Sequence, residues 1–221
     1  AENTLVIFTS DNGCSPAANI KELNAAGHLP NGPLRGAKAD IWDGGHRVPF
    51  FVRWPGKVKA GAVSDQIISH VDLMATCAEI VGARLPANAG EDSVSFLPAL
   101  LGTAKNALRE ALVHHSIDGK FALRQGRWKL CLTPGSGGWG TPKDSEARGD
   151  NLPEVQLYDL ESSVAEQRNL QAEQPEIVAR LTRLLEQYIA NGRSTPGPPQ
   201  RNDAVVDLWK KANKGKAGKK S

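Results

Sequence analysis

The chain has 221 residues, of which 40% are hydrophobic and 23% charged, and its formal net charge is +3. These values are typical of globular proteins, and so small a net charge does not by itself indicate a nucleic-acid partner. No apolar run is long enough to span a membrane, and the 3 cysteines are too widely spaced for a disulfide framework or a zinc site.

The first half of the chain contains two predicted strands separated by a long loop. Residues 5–8, "LVIF", are typical of a strand buried on both faces of a parallel sheet. Because this strand begins so early, we expect the chain to open within a fold and to lack an upstream part. Residues 13–46 are rich in Gly and Pro and contain one predicted helix near 20–26; loops of this length are usually functional. The second strand covers residues 48–54.

The second half alternates between helical and strand-like patterns. Asp72 is expected to cap a helix that runs to about residue 81. A hairpin turn is predicted at Gln125-Gly126, and a Gly-rich flexible stretch at 134–150. The remaining predicted elements are strands over 111–115, 121–124, 128–132 and 155–160 and a helix over 175–190.

These patterns divide the chain into three parts. Residues 1–106 are predicted to be the end of an α/β domain. Residues 107–200 are predicted to be a small antiparallel sheet packed on a C-terminal helix. Residues 201–221 end in "KKANKGKAGKK", which has six lysines and no acid, and are predicted to be a solvated, disordered basic tail.

The sequence Asp11-Asn12-Gly13, directly after the first strand, has two interpretations. Asp-Asn-Gly is a common hairpin turn, but the residues that follow do not resemble a second strand. The other interpretation places Asp11 and Asn12 at the carboxyl end of a parallel strand, where ligand sites of α/β sheets lie. Their carboxylate and amide oxygens are ligands suited to calcium or magnesium.

A second group of polar residues lies in the Gly-rich loop that contains Lys38. Arg35 precedes this lysine, and His46 and Arg47 follow it, so several cationic groups are able to converge on an anion. The alternative is a solvated loop in which Trp42 and the paired glycines are structural.

Several sequence blocks in fixed order resemble the C-terminal part of the arylsulfatase-type, formylglycine-dependent sulfatase family. The blocks are "TSDNG", "RGAKADIWDGGHRVPFFVRWPG", "ISHVDLMATCAEIVG", "EDSVSFLPALLG", "FALRQGRWKL" and "QLYDLESSVAEQRNL". The resemblance covers residues 4 to about 200 and implies an α/β, alkaline-phosphatase-like fold. It also implies hydrolysis of sulfate esters by a formylglycine nucleophile and a periplasmic or secreted location.

The resemblance implies roles for individual residues. Asp11 and Asn12 correspond to a pair that ligates a divalent cation, usually calcium. Lys38 corresponds to a lysine that contacts the sulfate and assists the leaving oxygen, and His46 stands near the substrate pocket. Asp43 replaces the glutamate that usually precedes the paired glycines, a departure expected to affect loop support rather than chemistry.

The same resemblance excludes Cys14 as the nucleophile. Formylglycine forms from the Cys or Ser of a C-x-P-x-R motif, and here Ala18 replaces the arginine. Cys14 also follows the Asp-Asn pair, whereas the family's nucleophile lies far before it. We therefore expect formylglycine and further metal ligands upstream of this chain, and expect this chain alone to be inactive. Its expected partners are the missing N-terminal half and a sulfated small molecule or glycan.

Two other functions remain open. A phosphodiester or phosphonate hydrolase would share the fold and the metal, although the "LYDL…NL" block favours a sulfatase. A non-catalytic module would use residues 107–192 to bind a partner or to cap another domain, and would not need Asp11 and Asn12.

Overall fold

The computed structural model describes residues 2–210. Its helices and strands occur in the following order: β1 Val6–Thr9, α1 Ile20–Ala25, α2 Asp43–His46, β2 Phe50–Arg53, α3 Asp72–Ile80, α4 Leu97–Leu100, β3 Leu112–His115, β4 Phe121–Gln125, β5 Trp128–Cys131, α5 Asp144–Gly149, β6 Gln156–Asp159 and α6 Pro175–Asn191. The predicted elements are present, and the short helices α2, α4 and α5 were not predicted.

Strand β1 is not the doubly buried parallel strand that the sequence predicted. It pairs antiparallel with β2 in a two-stranded sheet, in which Phe8 lies opposite Phe51. These two rings are 66% and 65% exposed, so one face of this sheet is apolar and open. An apolar run shows that a strand is suited to burial, but it does not reveal the direction of its partner, which here follows after 40 residues that include α1 and α2.

The second sheet agrees with the predicted antiparallel subdomain. Strands β3, β4, β5 and β6 pair antiparallel in that order, and α6 packs against β4 and β5. The two-residue turn between β4 and β5 is Gly126-Arg127, because Gln125 pairs with Trp128. The shared core is built from fully buried leucines on both layers, namely Leu123, Leu130, Leu157, Leu181 and Leu185. Each such leucine contributes about 1.5–3 kcal/mol by leaving water.

Helix α3 begins as predicted, but Asp72 does not cap it through the expected contact. Asp72 is the first helical residue and is buried. Its carboxylate accepts hydrogen bonds from the backbone N–H groups of Ser69 and Val94 and pairs with the guanidinium of Arg109. This residue therefore ties α3 to two later segments of the chain.

The stretch predicted to be flexible, residues 134–150, is packed through its first half. Residues 134–137 are buried, and the Ser136 carbonyl accepts a hydrogen bond of 2.8 Å from the Ile41 N–H. A Cβ at Gly138 would lie 2.3 Å from the carbonyl oxygen of Ala39. The glycines thus permit close backbone contact with the Lys38 loop, and the prediction of flexibility was wrong here.

The end of the chain is partly anchored. Leu208 is 9% exposed and belongs to the core between the second sheet and α6, whereas the sequence predicted a solvated tail from residue 201. Residues 211–221 lie outside the described residues, and the three domain boundaries stay a prediction. None of the helices within residues 2–210 is long and apolar enough to cross a membrane.

Candidate functional site

The end of β1 meets the Lys38 loop in direct backbone contact. The N–H of Gly13 donates a hydrogen bond of 3.1 Å to the carbonyl of Gly45. A Cβ at Gly13 would lie only 1.7 Å from the carbonyl oxygen of Gly44, so any larger residue would force the two segments apart. Gly13 therefore serves a close approach between two loops, and the hairpin-turn interpretation of Asp11-Asn12-Gly13 was wrong.

An open cleft of about 970 Å³ lies at this junction. Its lining includes both members of the Asp-Asn pair and two cationic side chains of the loop, namely Asp11, Asn12, Lys38 and Arg47. Of the residues given a role by the family resemblance, Asp11, Asn12 and Lys38 thus lie at one cleft, whereas His46 does not. Ligand sites of comparable size are commonly clefts lined by a few convergent polar groups.

Asp11 and Asn12 have the properties of incomplete metal ligands. The Asp11 side chain is exposed at the cleft, and the Oδ1 atom of Asn12 is buried with no hydrogen-bond partner. A buried amide oxygen without a partner is costly, and a hard cation would satisfy it. Within residues 2–210, however, no group of three or more His, Cys, Asp or Glu residues is placed to hold a metal ion. The two oxygen donors have the chemistry that calcium takes, and metal binding at Asp11 and Asn12 stays a prediction.

Lys38 is held by its backbone while its side chain stays half-buried at the cleft. Its N–H donates a hydrogen bond of 3.0 Å to the carbonyl of Cys14. Two residues on, the buried Asp40 accepts hydrogen bonds from the N–H groups of Ala37 and Gly140, at 2.9 and 2.7 Å. Burial raises the pKa of the Asp40 carboxyl, although these donors oppose the shift. Cys14 accepts this hydrogen bond through its carbonyl and also lines the cleft, and the exclusion of its thiol as the nucleophile stays a prediction.

His46 does not line the cleft. Its ring lies 4.4 Å from the ring of His114, measured between centroids, and its Nε2 atom is buried without a hydrogen-bond partner. Burial, reinforced by the positive charge of Lys129, lowers the pKa of His46 to about 4. The imidazole is therefore neutral at pH 7, and its role in substrate binding stays a prediction.

Arg35 does not converge on the cleft with Lys38. Its guanidinium lies 3.7 Å from the ring centroid of Trp42, a cation–π geometry. The same group donates hydrogen bonds to the hydroxyl of Tyr158 and to the backbone carbonyl of Glu166, at 3.0 and 2.9 Å. Of the cationic residues expected to converge, only Lys38 and Arg47 line the cleft, whereas Arg35 connects the loop to the second sheet; the shared anion site stays a prediction.

A buried ionic group beneath the loop was missed by the sequence analysis. Lys129, on β5, is 0% exposed, and its Nζ lies 2.6 Å from Asp43 Oδ1 and 2.8 Å from Glu166 Oε1. Burial opposes the charge of Lys129, but the two carboxylates raise its pKa above the ordinary value. Burial alone would raise the pKa of Asp43, but Lys129 lowers it below the ordinary value. Burial raises the pKa of Glu166 despite the ammonium beside it.

The chain shows sequence and structural similarity to known proteins. Residues 1–83 match the model of the family described as Sulfatase. An N-acetylgalactosamine-6-O-sulfatase of Bacteroides thetaiotaomicron is 35% identical over 84% of this chain and 36% of the relative. Human arylsulfatase A is 34% identical over 76% of this chain and 34% of the relative. The chain thus spans about a third of the length of these curated relatives.

A solved structure agrees with the sequence matches. It comes from work on glycosaminoglycan metabolism by Bacteroides thetaiotaomicron and superposes with a TM-score of 0.71. The sequence identity is 33%, over 84% of this chain and 38% of the other. Coverage this wide includes parts of both halves of the chain.

Proposed function

This chain belongs to the sulfatase family and has its alkaline-phosphatase-like fold, and from that premise we propose that it is part of an enzyme that hydrolyses sulfate esters. The proposal rests on one observation above all: Asp11, Asn12 and Lys38 border the same cleft. The Asp11-Asn12 pair and Lys38 come from separate segments. Lys38 can pair with an anionic ester directly, whereas Asp11 and Asn12 would do so through a bound cation. The relatives are named as sulfatases of carbohydrate, aryl and steryl sulfates, and we propose a carbohydrate or aryl sulfate as the substrate because the carbohydrate and aryl relatives match more of this chain.

Lys38 would act on the departing oxygen. Its ammonium is a compact charge on a flexible side chain. The backbone that carries this side chain is held by the hydrogen bond from the Lys38 N–H to the carbonyl of Cys14. As the ester bond to sulfur breaks, negative charge grows on the oxygen that leaves with the alcohol. An ammonium held close to that oxygen lowers the barrier because it is already oriented before the reaction begins.

Asp11 and Asn12 would supply two of the oxygen ligands of a calcium ion. The buried, unpartnered Oδ1 of Asn12 supports this assignment. A bound cation would withdraw electron density from the sulfate oxygens. We expect Asn12→Ala in the full-length enzyme to weaken calcium binding in a calorimetric titration. Unchanged affinity would contradict the assignment.

The remaining parts of the site would come from the portion of the longer relatives that this chain does not match. That portion would include the formylglycine nucleophile and further metal ligands. The open apolar face around Phe8 and Phe51 is suited to pack against it, since so large an exposed aromatic surface is unusual in a monomer. We therefore propose no turnover by the 221-residue chain alone.

The test uses the full-length enzyme and aryl sulfates whose leaving groups differ in pKa. We expect Lys38→Ala to lower kcat by about 10²–10³-fold for poor leaving groups and by less for good ones. Lys38→Arg should rescue activity poorly, because the wider guanidinium does not occupy the same point. Lys57→Ala, at an exposed lysine outside the cleft, is the matched control.

Two outcomes would contradict the proposal. A loss that is the same for every leaving group, with a lower melting temperature, would mark Lys38 as a structural loop residue. Faster hydrolysis of a phosphate diester than of the sulfate ester of the same phenol would favour the phosphodiesterase alternative.

A further inference from the structure

Glu166, which follows β6 of the second sheet, holds the loop of residues 35–46 near both of its ends. At the C-terminal end, Glu166 Oε2 accepts a hydrogen bond of 2.6 Å from the N–H of Asp43. At the N-terminal end, the backbone carbonyl of Glu166 accepts a hydrogen bond of 2.9 Å from the guanidinium of Arg35. Between these two anchors the loop carries Lys38 to the cleft.

Glu166 makes both contacts from an unfavourable backbone conformation. Its φ angle is +50°, in the left-handed region that non-glycine residues seldom adopt, and its side chain is fully buried. Such conformations persist only where surrounding contacts determine them, and they are concentrated at functional sites. The ammonium of Lys129 supplies one of these contacts, because it binds Glu166 and Asp43 together.

Stability alone is a poor explanation for this arrangement. Removing a lysine and two carboxylates from water is costly, and replacing a buried ion pair by apolar residues of similar size is often neutral or stabilising. What an ionic group can provide here is a fixed geometry, because the Lys129 ammonium pairs with both carboxylates only while Asp43 of the loop lies beside it. For the chemistry at Lys38, a displacement of about 1 Å can cost about 10²-fold in rate.

We propose that Lys129, Asp43 and Glu166, here called the lysine cluster, are positioning residues that fix the 35–46 loop so that Lys38 meets the leaving oxygen of the substrate. This inference rests on the proposed function and adds the second sheet to the catalytic machinery. No member of the lysine cluster lines the cleft, so the cluster acts on the substrate only through the loop.

The experiment uses the full-length enzyme and neutralises the lysine cluster in two ways. Lys129→Met leaves two buried carboxylates without their ammonium, so the uncharged triple variant D43N/K129M/E166Q is tested beside it. At a temperature well below melting, we expect the triple variant to lower kcat by about 10–100-fold and to change KM by less than about 3-fold.

A double-mutant cycle with Lys38→Ala separates positioning from general support of the fold. If the lysine cluster acts through Lys38, the triple substitution should cost less than about 3-fold once Lys38 is gone. Arg109→Met is the matched control, because it breaks another buried ion pair, with Asp72, outside the 35–46 loop. We expect this control to lower the melting temperature, to leave kcat unchanged and to combine additively with Lys38→Ala.

Hydrogen exchange provides a readout that does not depend on turnover. We expect amides of residues 36–46 to exchange at least about 10-fold faster in the triple variant and at the parent rate in Arg109→Met. Undiminished kcat, additive losses in the cycle or unchanged exchange would each overturn the inference. If the parent enzyme hydrolysed no sulfate ester, the proposed function would fail, and the exchange rates alone would still decide whether the lysine cluster fixes the loop.

Discussion

Acid should destabilise this chain through two buried histidines that face each other. The pKa of His46 is lowered to about 4 from 6.5, and burial lowers the pKa of His114 well below that ordinary value. Both imidazoles are thus neutral in the folded state and take up protons more readily after unfolding. The unfolded state gains protons first as the pH falls, so folding stability is lost from about pH 6.5 down towards pH 4.

For His46, the magnitude follows from its pKa of about 4 in the folded state and the ordinary value of 6.5. At pH 5 an unfolded histidine is almost fully protonated and folded His46 is still mostly neutral, which corresponds to about 2 kcal/mol of lost stability. The lowered pKa of His114 adds to this loss in the same direction, against the roughly 5–15 kcal/mol of stability typical of a domain. The pKa values of the Asp40 and Glu166 carboxyls are raised in the folded state, so the folded state gains these protons first and part of the acid-induced loss of stability is offset.

Urea unfolding at pH 7.5 and pH 5 measures this loss, and histidine variants isolate its source. We expect His46→Gln to reduce the acid-induced loss by about 2 kcal/mol, His114→Gln to reduce it as well, and the double variant to reduce it by more than either single variant. Comparing the two pH values within each variant removes the effect of the substitution on packing. His28→Gln, at an exposed histidine outside the pair, is the matched control. A double variant that lost as much stability as the parent chain would refute the reasoning.

Two further predictions concern packing and are measured by denaturant unfolding. Leu208→Ala should lower the free energy of unfolding by about 2–5 kcal/mol, because it removes a core side chain, whereas Val205→Ala, at a fully exposed position, should change it little. Gly138→Ala should lower it by about 1–3 kcal/mol through the clash with Ala39, whereas Gly149→Ala, whose Cβ has no neighbour within 4 Å, should not. Equal effects of a variant and its control would contradict either prediction.

Local patterns were sufficient for much of the fold. The apolar spacing of α6 and the alternation of β4 predicted these elements within one or two residues of their observed ends, because each pattern reflects contacts on one face of a single element. The direction of β1 was not accessible in this way, since its partner β2 lies more than 40 residues further along the chain. The Gly-rich stretch at 134–150 was misread because the same glycines suit mobile loops and close backbone contacts.

The residues of the candidate site were likewise predicted only in part from the sequence. Asp11, Asn12 and Lys38 were identified by motif resemblance, and the structure places them at one cleft. Lys129 was missed because a charged residue within a strand usually marks a solvent-facing position. Its partners lie at Asp43 and Glu166, which are 86 residues before it and 37 after it, and a pattern within one strand carries no information about them.

The anchoring of the 35–46 loop by Glu166 and Lys129 also limits how such enzymes can be recombined. A chimera joined near residue 106 would take its substrate cleft from one parent and the anchors of that cleft from another. If the donor has a glutamate at position 43, its lysine and its second carboxylate are spaced for that longer side chain. In the chimera they would meet Asp43 instead, and the three charges would lie at unsuitable distances. The useful unit of exchange is therefore not the contiguous C-terminal segment. It is that segment together with the loop it holds, and substitutions at positions 43, 129 and 166 should be transferred as a set.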